Sequence, residues 1–103
     1  MQLADQLRLD ISTKLADHPE VRRAILFGSR ARGEARERSD IDLALEVDDL
    51  TDSDWVDLVA ALNDLNTLLE IDVINLAESP RALSERVQTE GVVLYDRNRV
   101  AQA

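Results

Sequence analysis

Three acidic residues and one Gly-Ser pair stand out by type and spacing. Asp40 and Asp42 flank a single residue, Asp72 follows later, and Gly28-Ser29 precedes Asp40 by ten intervening residues. Residues i and i+2 of a strand point to the same face. Asp40 and Asp42 would therefore project side by side, with Ile41 and Leu43 anchoring the opposite face. Neighbouring carboxylates repel each other unless a cation lies between them. Mg²⁺ favours a few carboxylate oxygens together with phosphate and water. Asp72 on an adjacent strand would complete a three-carboxylate cluster, of the kind that holds metal ions about 3.5–4 Å apart in phosphoryl transfer. Gly28-Ser29 offers what acids cannot: backbone without a Cβ, an N–H donor and a hydroxyl for a triphosphate. Such donors can stabilise the charge of a departing pyrophosphate.

Plainer readings stand beside these. With 21 acidic residues in the chain, an Asp-x-Asp can arise on a solvated strand edge. Asp72 also fits an ordinary polar residue at a strand start. Arg30 and Arg32 could clamp phosphates, because the Arg fork matches phosphate oxygens, or could pair with Glu34 or Glu37 on a solvated turn. Arg36 and Arg38 read as surface charges, His18 as a surface residue, Trp55 as core packing and Tyr95 as packing or rim.

The elements that must position these groups follow from periodicity. Leu3, Leu7, Ile11 and Leu15 recur every four residues, which predicts an amphipathic helix over 3–17. Ala24-Ile25-Leu26-Phe27 reads as a buried strand that stops at Gly28-Ser29. Arg30 to Ser39 reads as a short helical turn plus loop. Ile41, Leu43 and Leu45 alternate with Asp42, Ala44 and Glu46, as in a strand with one face in the core. Thr51 can cap a helix whose stripe is Trp55, Leu58, Val59, Leu62, Leu65 and Leu69, with Asp52 and Asp54 in its first turn. Ile71 to Leu76 reads as a third strand. Ser79 as cap and Pro80 at the first position open another helix, with Leu83 and Val87 inward and Gly91 as its end. Val92 to Tyr95 is a fourth strand, and the polar tail from Asp96 onward is expected to fray. The expected fold class is α/β (α+β), a small mixed β-sheet packed with helices, in a single domain spanning 1–103.

Composition narrows the function classes. At 103 residues, 45% hydrophobic and 32% charged, the chain suits one soluble globular core. It has no apolar run long enough to span a bilayer, and MQLADQLRLDISTKL lacks the features of a signal peptide. A cytoplasmic protein without membrane contact is expected. There are no cysteines, so disulfides and thiolate metal sites are excluded. A formal net charge of −9 opposes general nucleic-acid binding. It leaves room for a triphosphate, because a divalent cation inverts the local field.

The segment LFGSRARGEARERSDIDLALE resembles the Gly-Ser, ten-residue spacer, Asp-x-Asp signature of the DNA polymerase β-like nucleotidyltransferase superfamily. The short chain and Ile71-Asp72-Val73 look like its minimal nucleotidyltransferase (MNT) branch, over roughly Leu15 to Tyr95. The resemblance implies a polymerase β-like core. It implies Asp40, Asp42 and Asp72 as catalytic ligands of two Mg²⁺ ions, with Asp72 helping to activate the incoming hydroxyl. Gly28 and Ser29 would hold the triphosphate of ATP or another NTP; Arg30 stands beside them as a candidate nucleotide contact on the chemistry of its fork alone. It also implies a setting: an antitoxin in a hetero-oligomer with a HEPN-family RNase toxin, inactivating it by moving AMP onto a hydroxyl. Larger transferases carry an added acceptor-binding domain, so here the acceptor would bring its own surface. Two other functions fit the same fold: an antitoxin acting by binding alone, and a small-molecule transferase of the aminoglycoside type.

Overall fold

The computed structural model describes residues 1–100. Helix α1 (Asp5–Ala16) buries Leu7, Ile11 and Leu15, with Leu3 packed just ahead of it. Strand β1 (Val21–Phe27) begins earlier than its apolar run suggests. Polar residues at its start pair across strands: Arg23 lies opposite Glu46 and forms an ion pair with it. Helix α2 (Gly28–Arg32) follows without a gap, and Gly33 at φ 77° ends it. Strand β2 (Ile41–Val47) shows the expected alternation, with Ile41, Leu43 and Leu45 buried.

Helix α3 (Asp52–Asn63) is capped by Thr51, whose hydroxyl accepts the Asp54 N–H at 3.1 Å. It ends well before Leu69. Asn63 causes the early stop: its amide donates to the Ile71 carbonyl and accepts the Ile71 N–H, turning the chain into β3 (Ile71–Asn75). Leu65 and Leu69 still pack on the core, but from the connecting loop. Leu76 leaves the strand for a 3-10 turn (Leu76–Glu78). Ser79 does not cap α4 (Arg81–Glu90); its hydroxyl donates to the Leu76 carbonyl at 2.7 Å, and Pro80 takes the cap position.

Gly91 closes α4 in an extended conformation. Its Cα lies against the Val87 carbonyl and the Ile25 side chain, so the glycine is required by close approach, not by a left-handed turn. Strand β4 (Val92–Asp96) leads directly into helix α5 (Arg97–Val100). The tail expected to fray from Asp96 thus begins with the end of β4 and this helix. Arg97 donates to Pro19 O at 3.0 Å and to Asp48 at 2.8 Å. Residues 101–103 lie outside the described residues.

The sheet runs β3-β2-β1-β4. β1 is antiparallel to both β2 and β4, whereas β2 and β3 are parallel. This is the small mixed sheet expected of the α/β class. One face, with Ala24, Leu26, Ile41, Leu43, Leu45 and Leu94, forms the main core with α1 and α3. The other, with Ile25, Phe27 and Ala44, packs with Val87 and Leu83 of α4. No helix among the described residues is long and apolar enough to cross a membrane.

Candidate active site

The parallel register of β2 and β3 sets Asp42 beside Asp72. Alternation places Asp42 on the face opposite Ile41 and Leu43, and Asp72 opposite Ile71 and Val73. One residue ahead of each strand stand Asp40 and Glu70, joined through the Ile41 N–H to Glu70 O bond of 2.9 Å. The result is a two-by-two array of carboxylates at one end of the sheet. Oxygens of Asp40, Glu70 and Asp72 all come within 4.8 Å of one another. These three are exposed, while Asp42 is half-buried. Asp42 is not part of that tight group; it stands one pleat further in, closest to the glycine turn.

Glu70 was not anticipated. A signal for it was present: Glu70-Ile71-Asp72 repeats the pattern of Asp40-Ile41-Asp42. Its meaning depends on β2 and β3 being parallel and in register, which spacing cannot show.

The electrostatics are those of crowded acids. Burial pushes the Asp42 carboxyl above its ordinary value, and the charges of Asp72 and then Asp40 push it further; Arg32 opposes them. A cation would relieve this repulsion, and the donor set is entirely hard carboxylate oxygen, which suits Mg²⁺ better than a softer metal.

Gly28 lies against Asp42, the inner member of this array. It sits at φ 75°, and a Cβ there would collide with the Asp42 carboxylate. Two requirements thus meet at one residue: a left-handed backbone and contact with a catalytic-type acid. Ser29 follows in the first turn of α2, and its carbonyl accepts the Glu34 N–H at 2.9 Å.

Arg30 is placed differently from the sequence expectation. It is buried, and its fork donates to three carbonyls: Gln2 O at 2.9 Å, Ser39 O at 3.0 Å and Glu37 O at 3.1 Å. These bonds fasten the loop that carries Asp40. Every guanidinium nitrogen of Arg30 is bonded to backbone, so this side chain braces the loop instead of standing open at the acids. Arg32 is the arginine that faces the acids. It is partly exposed, pairs with Glu34 at 3.0 Å and Glu90 at 3.1 Å, and its charge reaches Asp42. Those partners hold its guanidinium pKa above the usual value.

Residues 10–100 match the family described as Polymerase beta, Nucleotidyltransferase. The chain belongs to this nucleotidyltransferase family. Among curated proteins, none matches the sequence significantly. Solved structures share the fold. A toxin-antitoxin crystal structure with AMP-PNP aligns with a TM-score of 0.73 at 24% identity, over 96% of this chain and 79% of that one. The toxin-antitoxin MntA-HepT aligns at 0.70 and 23% identity, over 96% and 78%. A tri-AMPylated HEPN toxin in complex with MNT antitoxin from Shewanella oneidensis aligns at 0.69 and 23% identity, over 94% and 76%.

Proposed function

We propose that this nucleotidyltransferase transfers AMP from ATP to a hydroxyl of a HEPN-type toxin and so acts as its antitoxin in the cytoplasm. The observation that carries the reading is the Gly28-Ser29 turn packed against Asp42, beside Asp40, Glu70 and Asp72, in a chain of this family. The setting is drawn from the structurally similar complexes, one of them with a tri-AMPylated toxin.

Asp40, Asp42 and Asp72, with Glu70 beside them, would hold divalent cations, for which Mg²⁺ is the natural fit. Bound there, such ions supply charge neutralisation on the phosphoryl oxygens of the transferring group. The protein's own residues do the rest. The Gly28 backbone and the Ser29 hydroxyl hold the triphosphate, and Arg32 offers its partly exposed guanidinium to it. The acceptor hydroxyl oxygen bonds to the α-phosphorus as the bond to pyrophosphate breaks. The hydroxyl proton passes to a carboxylate, for which Asp72 is well placed because it is exposed at the edge strand.

An acceptor on a partner protein is supported by the openness of the site, since three of its four acids are exposed. The outer face of α3 offers a place for such a partner to rest: Trp55, Val56, Val59 and Ala60 form a shallow apolar surface there.

The test is co-expression with the product of the adjacent gene, followed by its intact mass. Wild type should add one or more AMP units, and Asp42→Asn none. Neutralisation by both proteins without any mass gain would replace this reading with an antitoxin acting by binding alone. Turnover of aminoglycosides without a protein acceptor would replace it with a small-molecule transferase.

A further inference from the structure

Glu90 occupies an unusual place. It is the last residue of α4, where the negative end of the helix dipole disfavours an acid. Yet its side chain is only 19% exposed. What holds it there is a convergence of donors on one oxygen. Glu90 Oε1 accepts the Gly28 N–H at 3.2 Å and Arg32 Nη1 at 3.1 Å, with Arg86 Nη2 at 3.6 Å. One backbone N–H and two guanidinium groups around a single anionic oxygen make an anion site already filled by the protein. Two of those three donors, Gly28 and Arg32, belong to the turn that the proposed function assigns to the triphosphate.

We infer that Glu90 is an internal stand-in for a phosphate oxygen, which an incoming nucleoside triphosphate must displace. The inference rests on that nucleotide-binding reading. In the free protein the carboxylate keeps the left-handed Gly28 turn and the Arg32 guanidinium in place. The same negative charge repels phosphate. A nucleoside monophosphate has too little charge and reach to compete. A triphosphate presents several oxygens at once and replaces Oε1 at Gly28 and Arg32. Glu90 then turns outward while keeping Arg86, its i,i+4 partner on the same helix. Glu90 thereby acts as a built-in competitor that weakens the binding of a nucleotide the more its phosphates reach the Gly28 turn.

The experiment measures binding of AMP-PNP, ADP and AMP to the full chain at fixed Mg²⁺, in wild type, Glu90→Gln and Glu90→Ala. Glutamine retains the acceptor oxygen and removes the charge, so the turn stays supported. The expected result is AMP-PNP binding roughly threefold to tenfold tighter in Glu90→Gln, a smaller gain for ADP and almost none for AMP. The gain should shrink at high salt. Weaker or unchanged AMP-PNP binding in both variants, with wild type binding normally, would overturn the inference and make Glu90 a plain support of the turn. An equal gain for all three nucleotides would overturn it as well. Absence of nucleotide binding in wild type would instead defeat the nucleotide-binding reading itself, and the inference with it.

Discussion

Gly28 and Asp42 are in mutual contact across the antiparallel pair of β1 and β2: the glycine Cα leaves no room for a Cβ beside the Asp42 carboxylate. The two halves of the signature are thus one structural unit, the turn limiting where the acid can stand.

Gly28→Ala should accordingly damage both stability and activity. The left-handed backbone at φ 75° costs a non-glycine residue about 1–2 kcal/mol, and the collision displaces Asp42. Thermal melting should show the destabilisation, and nucleotide transfer measured well below the melting temperature should be lost. An active, normally stable Gly28→Ala protein would contradict the contact.

Asp42 carries a pH signature. Its carboxyl is raised by burial, then by Asp72 and Asp40. A raised folded-state value means the folded protein binds the proton more tightly than the unfolded chain does. Stability is therefore lost as the pH climbs from the ordinary Asp value, about 3.9, through the raised one. Asp42→Asn should be more stable than wild type in metal-free buffer near neutrality, and that advantage should vanish in acid. Melts in chelator across this range test it. Mg²⁺ should then narrow the difference by stabilising wild type more than the variant, which keeps Asp40, Glu70 and Asp72.

Arg30→Lys should destabilise without altering nucleotide affinity in the folded protein. A lysine cannot reach Gln2 O, Ser39 O and Glu37 O together, and losing the charge-assisted bonds to these part-buried carbonyls costs roughly 1–3 kcal/mol. Arg32→Lys should show the reverse, with little change in melting and weaker AMP-PNP binding. A loss of affinity confined to Arg30→Lys would return Arg30 to the nucleotide.

Asn63→Ala should loosen the start of β3, because its amide holds both backbone groups of Ile71. Asp72 is the next residue. The expected outcome is faster amide exchange over residues 71–73 and reduced transfer, with metal-free stability lowered by roughly 1–2 kcal/mol. Unchanged exchange there would remove Asn63 from the positioning of Asp72.

Local rules determined much of this protein from sequence alone. The four-residue spacing of Leu7, Ile11 and Leu15 set the buried face of α1. The alternation through Ile41, Leu43 and Leu45 set Asp40 and Asp42 on one face. These follow from backbone periods of 3.6 and 2, which neighbouring residues impose on one another. Tertiary structure decided what local rules cannot carry. The parallel pairing of β2 with β3 brought Asp72 beside Asp42 and Glu70 beside Asp40. Burial turned Arg30 from a candidate phosphate ligand into the fastening of the Asp40 loop. The end of α4 delivered Glu90 to the Gly28 turn from 62 residues away. Each depends on which surfaces meet once apolar faces are buried, and that choice is made by the whole chain.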